Sequence, residues 1–315
     1  MPNKFVVSCT NDNIWNYLEL IQFLSGAQNE DITLHFVPEA IDLSLLGLYD
    51  LLDCFNFRSV NIVTHNPFDN SSKYNILIKK QNEFLEEKIV VSDELHGWNG
   101  KKTFLTCYGR PTASRLGIAA YLDFHYPDLS LIHFSGGAWP DNINLYEINK
   151  LANFRLESVR ESTFLIPKIP LLYNSNTNYN FKHYNFNDPI TDCYKDIFVD
   201  MVSETHVLGD TFFPTEKTTR PMWLKKPFII FASKDYLCYL RQLGFRTFSD
   251  FWDEDYDGYE GKERYLRILQ LIDSISKKSK SELNNMYWSM RYTLDYNYSL
   301  LQTQSYNVNN IEKII

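Results

Sequence analysis

Residues 200–231 read DMVSETHVLGDTFFPTEKTTRPMWLKKPFIIF, and their order decides the fold. An apolar run ends at Ser203-Glu204-Thr205, and a short loop follows. Thr215-Glu216-Lys217 then opens a helix, and a second apolar run covers 227–232. Strand, loop, helix, strand is the repeating unit of a parallel sheet with crossover helices. The same stretch sets an acid and a base at a helix N-terminus, where unpaired N–H groups and the helix dipole favour an anion. Capping explains part of it: Thr215 is a good N-cap, and Glu216 complements the dipole. Lys217 is then on the unfavourable end of the helix, which an anion shared at that position would explain. Glu216 has the two acceptor oxygens that a pair of ribose hydroxyls needs.

Working outward, the pattern repeats. Segments 4–9, 32–37 and 59–64 read as strands, and 13–24 and 43–54 as helices, so the N-terminal region alternates strand and helix. Segment 66–100 reads as irregular, and HGWNGKK near its end as a break between domains. After it come a strand at 103–107, a helix at 111–122 carrying Arg115, and a strand at 129–134. Helical periodicity then runs through 142–165. Segment 173–189 is rich in Asn and poor in aliphatics and reads as an exposed excursion. Helices follow at 234–244, 264–276 and 282–301. The expected fold is therefore α/β: two Rossmann-like domains facing a cleft, with C-terminal helices. The expected domains are 1–100 and 101–315. Loops leaving the C-terminal ends of such strands bind ligands.

Composition narrows the function. The chain has 315 residues, a formal net charge of −8 and 16% aromatic residues. No long Lys/Arg run accompanies that acidity, so nucleic acid is not favoured as the main partner, although a local basic groove would permit it. The aromatic content suits a cleft that stacks on sugar faces. Five scattered cysteines, without a closely spaced pair, indicate neither a zinc site nor a disulfide framework. The opening MPNKFVVSCTND has too short an apolar run for a signal peptide, and no window is long enough to span a bilayer. The chain reads as soluble and cytoplasmic, without a membrane partner.

The ordered set Arg115, Glu204 and Glu216-Lys217 resembles the donor-binding half of the α-1,3-fucosyltransferase family, and LGFRTF at 243–248 with DEDYD at 253–257 resembles a continuation shared by phage and giant-virus glycosyltransferase-like proteins. The fucosyltransferase family carries Glu-Asn-Ser at a strand end and Thr-Glu-Lys at the next helix start; here the first triplet is Glu204-Thr205-His206. The similarity to viral proteins would place the chain in a host cytoplasm. The resemblance covers about residues 102–267. It implies a two-domain (GT-B-like) glycosyltransferase that moves a sugar from a nucleotide-sugar donor, a GDP-sugar being one option, to a glycan or other hydroxyl acceptor. It implies inversion and no further cofactor.

On that reading Arg110, Arg115, Glu204, Thr215, Glu216 and Lys217 hold the donor. Arginine suits a diphosphate because its guanidinium stays charged and binds bidentately. Glu39, after the second strand, and His65, after the third, are the candidate bases, with Asp42 nearby. The carboxylates of DEDYD are consecutive, cannot converge from one face, and read as a solvated acidic turn; no metal site is expected. Two other readings stand beside this one. The first is a non-catalytic binding or accessory protein on the same fold. The second is a DNA-base glycosyltransferase, which would need a basic groove on the acceptor side.

Overall fold

The computed structural model describes residues 3–10, 13–79, 96–109, 111–134, 145–168 and 189–303. The first unit runs β1 (Asn3–Thr10), β2 (Asn13–Ile14), α1 (Tyr17–Gly26), β3 (Asp31–Pro38), α2 (Leu48–Asp53), β4 (Ser59–Thr64) and β5 (Asn75–Ile78). Its five strands lie in the order β2-β1-β3-β4-β5. β1, β3, β4 and β5 are mutually parallel, and only β2 is antiparallel, to β1. Helix α1 buries Leu20 and Leu24, one turn apart, against Val7, Ile32, Leu34 and Phe36. Outside β2, part of the edge of β1 is covered by the segment that follows, where Trp15 N donates to Ser8 O (2.8 Å). Asn16 accepts from Ser8 N (2.9 Å) and donates to Val6 O (2.9 Å), as a neighbouring strand would.

The second unit runs β6 (Lys102–Tyr108), α3 (Ala113–His125), β7 (Ser130–Phe134), α4 (Leu145–Phe154), α5 (Leu156–Leu165), β8 (Ile197–Ser203), α6 (Glu216–Trp223) and β9 (Phe228–Phe231). It closes with α7 (Tyr236–Gln242), α8 (Gly261–Ser276), α9 (Lys280–Ser289) and α10 (Arg291–Thr303). All four strands are parallel, in the order β7-β6-β8-β9. Every residue of β8 and β9 is buried; β9 reads as a continuous apolar run, while β8 carries Asp200 at its centre. The chain is thus α/β, with two parallel-sheet Rossmann-like units and C-terminal helices. Among the described residues no helix is long and apolar enough to cross a membrane.

Several boundaries differ from the sequence expectation, each for a local reason. Residues 43–47 form turns ending at Gly47 in the left-handed conformation (φ 68°), so α2 starts late. The apolar repeat of 282–301 hides a break at Met290 between α9 and α10. Inside the polar segment 66–100, the four residues of β5 pair with β4. The 173–189 excursion falls almost wholly outside the described residues.

The DEDYD turn is not simply solvated. Asp257 is buried, accepts from Leu237 N (2.9 Å) and Cys238 N (3.0 Å) at the start of α7, and pairs with the buried Arg264 (3.1 Å). Arg264 also donates to the carbonyls of Ile230 and Ser233, fastening the end of β9.

Candidate functional site

The two sheets are wound differently. In the first, successive parallel strands are added in one direction. In the second, the chain leaves β6 for β7 on one side, then returns to build β8 and β9 on the other. The reversal makes a crevice outside the C-terminal ends of β6 and β8, the position where open α/β sheets take ligands. Arg115, Glu204, Thr215, Glu216 and Lys217 lie at this end of the second sheet.

Arg115, in the first turn of α3, is buried and donates from Nη2 to Ser203 O (3.1 Å) and Glu204 O (3.4 Å). Ser114 Oγ lies 3.3 Å from Ser203 Oγ. The guanidinium thus ties the start of α3 to the end of β8. Glu147, from the first turn of α4, accepts from Ala113 N (2.6 Å) and so satisfies one of the N–H groups at the head of α3.

Glu204 is buried and engaged on every side. Its carboxylate accepts from Thr215 N (3.1 Å), Thr215 Oγ1 (2.6 Å), Thr218 Oγ1 (2.6 Å) and Tyr236 OH (3.4 Å). Burial, and next the Glu204 charge, push the Tyr236 phenol well above its usual range, so it stays protonated and able to donate. The expectation of a nucleotide ligand at Glu204 meets a different placement: the side chain holds the head of α6 against the end of β8. Thr215 is the N-cap, accepting from Lys217 N (3.3 Å) and Lys217 Nζ (3.0 Å).

Glu216 and Lys217 form an ion pair (2.7 Å), with side chains 16% and 11% exposed. They are the members of the set that reach the surface. Burial works against ionisation of Glu216, but the Lys217 charge, its hydrogen bonds and Arg220 outweigh it and hold the carboxyl below its usual range. Lys217 is the basic side chain at the α6 N-terminus, the end of a helix that favours an anion. Arg110 lies outside the described residues.

The rim of the first sheet meets this loop. Glu39, after β3, has Oε2 3.3 Å from Nε2 of the buried His206, which follows β8. Asp42 accepts from Asp210 N (2.8 Å), and Asn66, after β4, donates to Asp210 O (2.8 Å). Phe68 packs on Tyr239 of α7 with ring centroids 4.6 Å apart. Behind Asn66 sits Asp69, bonded to Thr64 Oγ1 (2.5 Å), Leu43 N (3.1 Å) and Asn66 Nδ2 (3.2 Å). Burial pushes its carboxyl up to about 7, against the pull of those bonds. His65 is engaged elsewhere: Nδ1 donates to the Lys79 carbonyl (2.9 Å), which fixes the proton on that nitrogen.

The structure thus joins Arg115, Glu204, Thr215, Glu216 and Lys217 in one continuous hydrogen-bonded set, and brings Glu39 to its neighbouring loop. It adds two groups that sequence reasoning did not select, His206 and Asp69. The only signal for His206 was its place two residues after Glu204; for Asp69 it was the turn-like NPFDN exit of β4. Among the described residues, no three His, Cys, Asp or Glu side chains are arranged to hold a metal ion.

No family model matches the chain, and no curated protein matches it. Among solved structures it is similar to an alpha,alpha-trehalose-phosphate synthase (UDP-forming) from Burkholderia vietnamiensis. The TM-score is 0.34 at 9% identity, covering 94% of this chain and 75% of that one. Likeness at this level transfers neither activity nor substrate.

Proposed function

We propose that this chain is a glycosyltransferase that moves a sugar from a nucleotide-sugar to an acceptor hydroxyl, with inversion and without a metal. The observation that carries the reading is the meeting of two parallel-sheet rims. One presents the head of α6 with Glu216 and Lys217 beside a topological switch point; the other presents Glu39. In this reading residues 101–315 bind the donor and 1–100 the acceptor. Lys217 and the α6 N-terminus stabilise the diphosphate as it leaves with the electron pair of the sugar–phosphate bond. Arg115 and Glu204 hold the crevice walls, and Arg110 is a further candidate for the diphosphate. Glu39 takes the proton of the acceptor hydroxyl as the new glycosidic bond forms. The resemblance to the α-1,3-fucosyltransferase family makes a GDP-linked donor the first to try.

The test is a panel of nucleotide-sugars incubated with the protein, with and without EDTA, scored for released GDP, UDP or CMP. Release that survives EDTA supports the reading. Release that requires added Mn²⁺ or Mg²⁺ overturns the metal-independent part.

A second reading is a non-catalytic binding or accessory protein that keeps this fold as an interaction surface. The internal engagement of Arg115, Glu204 and Thr215 favours it, since a site built on those groups is already closed by its own bonds. No thermal shift with any nucleotide-sugar, and no nucleotide released across glycan acceptors, would select this reading over the first.

A further inference from the structure

Beside the packing of Phe68 on Tyr239, four contacts across the two rims fall on one loop, residues 204–215, and they are not equivalent. Three of them grip the backbone of that loop. Asp42 accepts from the N–H of Asp210 and Asn66 donates to its carbonyl, so both polar groups of one residue are held from the first unit. Asn66 is fixed for this task, because its amide nitrogen also donates to Asp69 Oδ1 (3.2 Å) and its backbone N–H donates to Thr64 Oγ1 (3.1 Å). The third grip is steric. Gly209 has φ 75°, and a Cβ there would lie 2.6 Å from Asp42 Oδ2, so the loop can approach only because this position lacks a side chain.

The fourth contact is between side chains. His206 is buried, with Phe213 beside it, and faces Glu39, whose side chain is 17% exposed. The order from solvent inward is therefore Glu39, then His206.

We propose that His206 is the positioning residue of Glu39, and that Asp42 and Asn66 clamp the Gly209–Asp210 backbone to hold it there. The proton-accepting group of the first unit is then complete only when the loop of the second is docked. That loop begins at Glu204 and ends at Thr215, which Glu204 bonds, so the segment that aligns the base also carries the head of the donor helix. Filling the donor site and aligning Glu39 become one event. The role of His206 rests on the glycosyltransferase reading above; the clamp does not.

Two measurements on the full chain separate these parts. The first is amide hydrogen exchange over residues 205–214 in wild type, Asn66→Ala and Gly209→Ala. The clamp predicts exchange at least about tenfold faster in this loop in both variants, with the β6 and β8 amides unchanged. Loop exchange like wild type in both, or in whichever of the two stays folded, overturns it. The second measurement is nucleotide release from the most active sugar donor by His206→Ala. The expected result is at least about tenfold lower kcat with donor KM within about twofold, partly restored by added imidazole. Unchanged kcat, or a loss that imidazole and His206→Gln both leave unrepaired, overturns the positioning role. If wild type releases no nucleotide from any donor, the transferase reading and the role of His206 fall together, while the exchange result still decides the clamp.

Discussion

The two sheets handle charge in opposite ways. In the described part of the first unit, Asp69 is the sole buried charged side chain, and it sits at the rim where the second unit docks. In the second unit Arg115, Asp200, Glu204, Arg220, Lys226 and Arg264 are all buried. Each has hydrogen-bonding partners, as the cost of desolvating a charge demands. Asp200 lies in the middle of β8; burial pushes its carboxyl upward, while Arg220 at 3.1 Å and the Tyr194 hydroxyl pull it back. The first sheet is an ordinary apolar core with one buried carboxylate at its rim. The second is a core whose shape depends on polar fasteners, and its strand order reverses between β7 and β8.

If that contrast is right, the largest loss should follow from removing a fastener of the second unit. Arg264→Met strands the Asp257 carboxylate and the Ile230 and Ser233 carbonyls, and should cost about 3–5 kcal/mol, read from urea denaturation. A cost under about 1 kcal/mol would show that the buried charges are incidental. Next, Glu39→Gln should lower turnover about 10²-fold, near 2.7 kcal/mol of barrier, with donor affinity nearly unchanged. Normal turnover would rule Glu39 out and send attention to His65.

Asp69 tests the rim by pH. Its carboxyl is raised from 3.8 to about 7 in the folded state, so folding favours the protonated form. The associated stability is complete below the ordinary value and is lost as pH rises through about 7. The slope approaches about 1.4 kcal/mol per pH unit between those limits. Asp69→Asn should remove that slope, so the stability difference between wild type and variant must change from pH 4 to 7. A difference independent of pH would mean that Asp69 is not desolvated at the docked rim. The smallest effect is expected at Lys217→Ala. It should weaken nucleotide-sugar binding about tenfold while changing stability by no more than about 0.5 kcal/mol. Binding like wild type would remove the charge at the α6 head from the site.

Much of this was legible in the sequence because buried parallel strands and crossover helices leave strong local signals. FIIF at 228–231 and the Thr-Glu-Lys helix start are examples, and the α6 N-cap is where the motif sets it. What escaped was long-range or cut across the period. β5 is four residues long and takes its identity from pairing with β4. The break at Met290 interrupts a repeat that stays in phase on either side. Glu204 was placed correctly at a strand end, but its orientation could not be read. The hydroxyls of Thr215 and Thr218, one helical turn apart, turn it inward. The facing of Glu39 and His206 depends on how two sheets meet, for which a linear pattern holds no record.

The Asn16 side chain on the outer edge of β1 has a consequence for life in a crowded solution. Apart from β2, that edge would offer open backbone donors and acceptors to any passing strand, and such edges nucleate aggregation. Asn16 occupies Ser8 N and Val6 O with one amide, and Trp15 N donates to Ser8 O (2.8 Å), so the chain itself takes up this stretch of the edge. Light scattering of Asn16→Ala at rising concentration would reveal whether that plug is what keeps neighbouring molecules apart.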